Sequence, residues 1–186
     1  PKWKGKIVLV DPTGAGAGND WFSAMAEGIM DVGYLREFSR QEPIINRDSR
    51  LMAEWIARGR YPIIVGLKRD EVAEFQRAGA PIQLITPQEG TYVGTDSGGL
   101  VLLKNAAHPN ASKLFVNWVM TREGQEFVSR AYGGQSARVD VPTDFIDQKQ
   151  VRQPGMNYLN TTTEEYALKL PGYYKVAAEM FAASLK

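Results

Sequence analysis

The sequence predicts an α/β fold, with a three-layer α/β/α lobe around a mostly parallel sheet, then extended segments and C-terminal helices. The first half of the chain alternates apolar runs of strand length with amphipathic segments of helix length, which is typical of such a sheet. The chain has 186 residues and 44% hydrophobic content. It can therefore bury a sizeable core, as one large domain or two small lobes.

Four apolar runs of strand length stand in the first half of the chain. They cover residues 7–10, 44–46, 61–65 and 82–85. Segments with helical spacing separate them, and parallel strands need such crossover connections. We therefore expect these four strands to form the parallel sheet.

The first predicted helix has an apolar stripe that repeats at helical spacing. Asn19 or Asp20 is the residue type that caps a helix N-terminus, so we expect one of them to begin this helix. The stripe predicts a core-facing surface rather than a cofactor site. Its members are Trp21, Phe22, Met25, Ile29 and Val32.

Two more helices in the first half have well-marked ends. Asp48 is the predicted cap of the second helix, and Gly59 is its predicted end because glycine adopts the left-handed conformation at low cost. The third helix contains Val72 and Phe75 and is predicted to end near Gly79.

The pattern changes after Pro87. Residues 91–95 and 99–104 resemble extended segments on either side of a glycine-rich turn. A helix is expected to begin with Pro109 as its first residue, and another to begin at Thr121.

The last part of the chain has weaker periodicity. Residues 133–162 are predicted to be mostly loop. Residues 173–185 are predicted to form the final helix. No internal repeat is evident.

Composition excludes several classes of function. Lys and Arg number 22 against 21 Asp and Glu, and this balance argues against a protein that neutralises many phosphates of a nucleic acid. Cysteine is absent, so disulfides and cysteine-ligated metals are excluded. No apolar run approaches the roughly 20 residues that a membrane span needs. We expect no nucleic-acid partner and no bound cofactor.

Few residues in the sequence are suited to catalysis or metal binding. His108 is the only histidine, and its position before a predicted helix favours capping or exposure over a role in a catalytic triad. Carboxylates are spread singly along the predicted helices. Tyr158, Tyr173 and Tyr174 are residue types that bind ferric iron, but packing explains the last two more simply. We expect no catalytic residue and no metal ligand.

A glycine-rich loop between the first strand and the first helix is the most informative motif. Thr13, Gly14, Ala15 and Gly16 can cradle an anion, because glycines allow close backbone approach and the helix start supplies free N–H groups. A dinucleotide fingerprint would need glycine at Asn19, and a phosphate-binding Walker loop would need a lysine. A turn without any ligand is the alternative reading.

Two other segments lie where ligands bind in open α/β sheets, outside the carboxyl ends of strands. One is the helix start at Ser49. Here Asp48 is most simply the helix cap, and the Arg47 side chain is most simply solvated. The other is Gly66, Leu67 and Lys68, at the end of the third strand. The loop after the third strand and the Thr13 loop are expected to converge on one crevice. For Lys68 and Arg69 taken singly, solvated surface charge is the simpler explanation.

Several motifs together resemble a known family. Trp3-Lys4-Gly5-Lys6-Ile7, Asp11-Pro12 and the segment 57–63 stand in the order found in extracellular solute-binding proteins of family 1, the ferric-binding-like branch. Residues 87–91 look like the strand with which that family returns across its hinge. The most specific likeness lies in residues 105–125, and the whole resemblance covers about residues 1–142.

The resemblance implies a type II periplasmic-binding-protein-like fold of two lobes with the ligand between them. Residues 1–88 would form the second α/β lobe and residues 89–132 the hinge return and helices of the first lobe. Residues 133–186 would form a loop-rich segment and a C-terminal helix. The chain would then be a fragment that lacks the N-terminal segment of the first lobe.

The resemblance also implies a function, as the substrate-binding component of an ABC importer in the periplasm, which delivers a solute to permease subunits in the membrane. Adjacent tyrosines of the ferric-binding members are replaced here by Gly66-Leu67-Lys68, so a small anion fits better than iron. The implied ligand contacts are Thr13, Gly14, Ala15, Gly16, Ser49, Gly66, Leu67 and Lys68.

Two alternatives remain open at this point. One is an enzyme domain that binds a nucleotide or a phosphate with the glycine-rich loop after the first strand. The other is an interaction domain without a small ligand, which only the exposed edges of the fragment support. Self-association of the fragment is left open. Binding of a nucleotide by the chain alone would favour the enzyme.

Overall fold

A computed structural model of the chain describes residues 2–94, 100–148 and 151–185. The fold is mixed α/β with parallel strand pairing, which confirms the predicted fold class. The described strands are β1 (Ile7–Val10), β2 (Ile44–Asn46), β3 (Ile63–Val65), β4 (Thr91–Val93) and β5 (Tyr158–Asn160). The described helices are α1 (Ala17–Ala24), α2 (Val32–Ser39), α3 (Ser49–Ala57), α4 (Arg69–Arg77), α5 (Pro109–Val119), α6 (Arg122–Tyr132) and α7 (Glu164–Phe181).

The chain divides into two compact units. Unit 1 comprises Pro1–Gly94 and Gly155–Lys186, and unit 2 comprises Thr95–Pro154. The assignment of chain segments to two lobes of a periplasmic binding protein stays a prediction, as does the three-layer arrangement.

The main sheet of unit 1 has the strand order β2-β1-β3, and both pairs are parallel. Val8 lies opposite Ile44 on one side and Ile64 on the other. The central strand is almost completely apolar and buried, as expected for a strand with neighbours on both sides. Since all three strands run the same way, their carboxyl ends lie at one edge of the sheet.

The core of unit 1 forms between β1, the first helices and α7. The predicted apolar stripe is confirmed as core, because Phe22, Met25 and Ile29 are buried. Phe22 meets Phe181 of α7 edge to face, with ring centroids 6.1 Å apart. The buried cluster consists of Leu9, Phe22, Ala24, Met25, Ile29, Leu35, Ala177 and Phe181.

The predicted start of the first helix is wrong. Gly16 is the N-cap of α1, with φ 137°, a conformation that L side chains rarely adopt. Asn19 lies inside α1 and is buried, and its Nδ2 donates to the carbonyl of Pro12 at 2.7 Å. The conformation of Gly16 therefore allows α1 to begin upstream of Asn19 and Asp20.

The first predicted helix is also divided. After α1, residues Met25–Ile29 form a π-helical turn, and Asp31 then caps α2 by accepting from the N–H of Tyr34 at 2.7 Å. Val32 therefore begins a new helix rather than continuing the first.

The other helix signals in the first half were read correctly. Asp48 caps α3, because its side chain accepts from the N–H of Leu51 at 2.9 Å. Gly59 and Gly79 follow α3 and α4 with φ 70° and 86°, in the left-handed region. These ends were readable because capping depends on residues within one helical turn.

Three predictions in the later chain need correction. Residues 82–85 form no strand, and Ile85 is 84% exposed. The last helix begins at Glu164 rather than at residue 173, since Thr163 caps it and Pro171 lies inside it. Strand β5 lies within the predicted loop and pairs in parallel with β4, so a partner distant in sequence decided its conformation.

Unit 2 is built on the helix pair α5 and α6. Pro109 is the first residue of α5, as predicted, and Thr121 caps α6 by accepting from the N–H of Gly124 at 3.1 Å. Leu100–Leu103 is not part of a strand, so the second predicted extended segment did not form a sheet where it is described; residue 99 lies outside the described residues. Val119, Val141 and Ile146 supply the buried apolar side chains.

Candidate functional site

A cleft of about 510 Å³ lies in unit 1 at the carboxyl ends of β1 and β3. This is the edge of a parallel sheet at which ligands bind in open α/β folds. Segments from four parts of unit 1 contribute to it: the loop after β1, the start of α3, the end of β3 and the start of α4. The lining residues are Val10, Asp11, Gly14, Ala15, Gly16, Ala17, Arg47, Ser49, Gly66, Lys68 and Glu71.

The glycine-rich loop forms one wall of the cleft and leads directly into α1. Gly14, Ala15 and Gly16 are exposed. The first N–H groups of a helix have no acceptor within the helix, so the start of α1 offers donors to the cleft. A Cβ at Gly18 would lie 2.2 Å from the carbonyl oxygen of Val10, and only glycine permits this close approach of α1 to β1.

Gly66 brings the end of β3 against the same wall. Its φ is 90°, and a Cβ there would lie 3.1 Å from Cβ of Val10 and 3.4 Å from Cα of Gly18. A larger residue would push β3 away from the loop. The predicted convergence of the two loops on one crevice therefore depends on two glycines in contact.

Asp11 holds the glycine-rich loop by accepting hydrogen bonds from Thr13. Its Oδ1 accepts from the N–H of Thr13 at 2.8 Å and from the Thr13 hydroxyl at 2.7 Å, while Oδ2 accepts from Nε of Arg47 at 2.5 Å. Burial raises the pKa of Asp11, but the hydrogen bonds from Thr13 and Arg47 outweigh it and hold the pKa below its ordinary value. The carboxylate is therefore ionised, and each of its oxygens already accepts at least one hydrogen bond.

Glu71, at the start of α4, occupies the opposite wall. One carboxylate oxygen accepts from the hydroxyl of Ser49, and the other accepts from the backbone N–H of Lys68 at 3.2 Å. The carboxylate thus ties the start of α3 to the start of α4. Ser49 uses its hydroxyl hydrogen in this contact, so it has only acceptor capacity left for a ligand.

Two cations face the cleft. Arg47 is bound through Nε to Asp11 and its side chain is 82% exposed. Lys68 is exposed, and no carboxylate among the described residues pairs with its ammonium group. Together with Asp11 and Glu71, these cations leave the four side chains with no net formal charge. Among the described residues, however, the donors without an acceptor are Nη1 and Nη2 of Arg47, the Lys68 ammonium group and backbone N–H groups at the start of α1.

The cleft contains six of the eight residues that the sequence nominated: Gly14, Ala15, Gly16, Ser49, Gly66 and Lys68. Thr13 and Leu67 do not line it, and the Thr13 hydroxyl is turned to Asp11. The role of all eight as ligand contacts stays a prediction.

Sequence reasoning missed Asp11, Arg47 and Glu71. The one available signal was their position directly after a strand or within the first turn of a helix.

A second polar cluster ties α1 and the following π-helical turn to α7. The Ser23 and Tyr166 hydroxyls are hydrogen bonded at 2.6 Å, and Glu27 accepts from Lys169 at 2.6 Å and from the Tyr173 hydroxyl. Burial and the contact with Glu27 raise the pKa of Tyr173 to about 12. These contacts account for Tyr173 as a structural residue of the helix packing.

The structure describes residues 2–94, 100–148 and 151–185. This part of the chain contains no group of three or more His, Asp or Glu arranged to hold a metal ion. No helix within it has both the length and the apolar character of a membrane span.

Comparison with known proteins gives a consistent family assignment. The family described as bacterial extracellular solute-binding protein matches residues 1–133. An uncharacterized protein of Haemophilus influenzae is 33% identical over 132 residues, which is 68% of this chain. The chain spans 36% of the length of that relative. No solved structure matches the chain at a comparable level of significance.

These findings confirm the family that the sequence motifs suggested, while the ferric-binding-like branch stays a prediction. The matched segment contains the whole cleft, from the loop after β1 to the start of α4. The chain belongs to the bacterial extracellular solute-binding protein family.

Proposed function

We propose that the chain is part of the substrate-binding component of an ABC importer, which captures a small anionic solute in the periplasm and delivers it to permease subunits. The observation that carries the proposal is the cleft at the strand ends, where backbone N–H groups, Arg47 and Lys68 supply unpaired donors. A binding role agrees with the family.

The chemistry of the cleft supports an anion over a metal ion. Every oxygen of the two carboxylates that line it already accepts a hydrogen bond, those of Asp11 from Thr13 and Arg47 and those of Glu71 from Ser49 and Lys68. A hard cation needs several free oxygen ligands, and these carboxylates do not offer them. Free N–H donors and a helix start, in contrast, attract negative charge.

Thermal unfolding of the chain with sodium salts of acetate, phosphate and sulfate tests this proposal. Ionic strength is held constant with sodium chloride, because screening by salt alone alters surface electrostatics. A ligand that binds the folded state raises the melting temperature in proportion to the logarithm of its concentration above Kd. We expect at least one of these anions to raise it above the chloride reference.

A matched pair of variants locates the effect. Lys68→Gln removes a cation from the cleft and is expected to reduce the shift, whereas Lys113→Gln removes an exposed cation from α5 of unit 2 and is expected to leave it unchanged. No shift with any anion would contradict the proposal. A shift with ADP alone would favour the nucleotide-binding enzyme that uses the same glycine-rich loop.

A further inference from the structure

Arg47 has a backbone that is fixed on both sides. The carbonyl of Asn46, the last residue of β2, accepts from the N–H of Asp11 at 3.0 Å. The side chain of Asn46 accepts from the N–H of Asp48 at 2.7 Å, and Asp48 then caps α3. The Arg47 side chain therefore leaves the backbone from a defined position at the rim of the cleft.

Asp11 fixes the other end of this side chain. Its carboxylate is only 7% exposed, and three donors hold it: the N–H and the hydroxyl of Thr13 on one oxygen, and Nε of Arg47 on the other. A carboxylate held in this way cannot turn to follow the guanidinium. The plane of the Arg47 guanidinium is therefore oriented by a rigid partner, which is unusual for a side chain that is 82% exposed.

The geometry of the guanidinium determines what remains for a ligand. With Nε engaged by Asp11, the free edge of Arg47 is formed by Nη1 and Nη2, for which the described residues provide no acceptor. Two parallel N–H groups on such an edge match two oxygens of one carboxylate or phosphate group. Lys68, on the other side of the cleft, is a flexible point charge that attracts any anion without regard to its shape.

We propose that Arg47 is the specificity-determining residue of the cleft and that Asp11 is its positioning residue. Arg47 selects oxyanion groups that present two oxygens to the Nη1–Nη2 edge, so a carboxylate or a phosphate group binds and a halide of equal charge does not. This inference rests on the proposed function, because it names the chemistry that the same cleft recognises.

NMR titration of the uniformly ¹⁵N-labelled chain tests the role of Arg47. Sodium phosphate and sodium acetate are added in separate series at constant ionic strength, with sodium chloride as the reference. In the wild type, we expect both oxyanions to shift the amides of Gly14 and Gly16 together with the Nε–H of Arg47, and chloride to shift none of them.

Conservative variants separate shape from charge. Arg47→Lys keeps the positive charge but loses the paired N–H edge, so we expect the phosphate Kd to rise about tenfold. Arg50→Lys is the matched control, because Arg50 is an exposed arginine in the first turn of α3 that does not line the cleft. It is expected to leave the Kd unchanged.

Asp11→Asn tests the positioning role. The asparagine carbonyl still accepts from Thr13, so the loop is kept, but the amide nitrogen cannot accept from Nε of Arg47. We expect the Gly14 and Gly16 amide shifts of the free protein to stay near their wild-type values, while the Arg47 Nε–H signal broadens through faster exchange. Phosphate affinity should fall about as far as in Arg47→Lys.

The outcomes separate the proposed anion-binding function from the specific roles of Arg47 and Asp11. If no oxyanion shifts any amide of the wild type, the proposed function fails and this inference with it. If phosphate binds wild type and Arg47→Lys equally, anion binding stands and the role of Arg47 is overturned. If Asp11→Asn binds like wild type with an unchanged Nε–H signal, Asp11 has no positioning role.

Discussion

The two compact units differ in how they bury aromatic side chains. In unit 1, Phe22 and Phe181 are 0% and 1% exposed, whereas in unit 2 Phe115 and Phe127 are 56% and 64% exposed. The amphipathic helices of unit 1 lie on a parallel sheet that covers their apolar faces. In the described part of unit 2, the pair α5 and α6 has no sheet beneath it, so apolar spacing alone did not produce burial.

Helical periodicity therefore identifies the apolar face of a helix but not the element that covers it. The stripe through Phe22 and the stripe through Leu114, Phe115 and Trp118 follow the same spacing rule. Only the first became a core. The second stays largely exposed, with Phe115 and Phe127 each in ring contact with Trp118.

The largest expected loss of stability comes from a substitution in the core of unit 1. Phe22→Ala removes a completely buried ring and leaves a cavity beside Phe181, so we expect a loss of about 3–5 kcal/mol in the free energy of unfolding. Phe127→Ala, its counterpart in unit 2, removes an exposed ring and should cost less than about 1 kcal/mol. Urea denaturation followed by circular dichroism measures both. Equal losses would contradict the comparison.

Two glycines sharpen the comparison, because local backbone packing is equally tight in both units. A Cβ at Gly18 would lie 2.2 Å from the carbonyl oxygen of Val10, and a Cβ at Gly124 would lie 2.2 Å from that of Trp118. We expect Gly18→Ala and Gly124→Ala each to cost about 2 kcal/mol. Gly134→Ala is the control, since its Cβ would meet nothing within 4 Å. Thermal unfolding distinguishes the three variants.

Helix caps should contribute similarly in the two units. Asp48 caps α3 in unit 1 and Thr121 caps α6 in unit 2, each by accepting one backbone N–H near the helix start. Replacement of either by alanine is expected to cost about 1 kcal/mol, as measured by urea denaturation. A cost confined to the variant of unit 1 would show that α6 does not depend on its cap.

The smallest effect at neutral pH concerns Tyr173 of unit 1, whose contribution to stability depends on pH. Burial and Glu27 raise its pKa from 10.0 to about 12, so the folded chain retains the proton that the unfolded chain loses first. The stabilisation is therefore complete below pH 10 and is lost as the pH rises towards 12. Tyr173→Phe should lack this loss in thermal unfolding. Tyrosinate absorbance of the wild type should show late titration, and Tyr173→Phe should lack the part that belongs to Tyr173 while the raised pKa of Tyr166 keeps its own part.

The sequence predicted much of the fold where the signals were local. The strands of the main sheet, the cap at Asp48, the helix start at Thr121 and the glycine ends of α3 and α4 each depend on residues within one or two turns. Residues 82–85 failed for the opposite reason. They have the composition of a strand, but pairing requires an open sheet edge, and composition does not report whether one is within reach.

The sequence predicted only part of the candidate site. Glycine loops and strand ends indicated where Gly14, Gly16, Gly66 and Lys68 would meet. The role of Arg47 was not readable, because its partner Asp11 lies 36 positions earlier in the chain.

The sequence by itself predicted the α/β class, the three strands of the main sheet and the glycine-rich loop after the first strand. Apolar period, capping chemistry and glycine conformations are short-range properties, and they act before any tertiary contact exists. Only the tertiary structure decided that Asp11 would hold Arg47 and that Glu71 would hold Ser49. The parallel pairing of β1 with both β2 and β3 brings these distant residues to one edge, and no local pattern encodes that proximity.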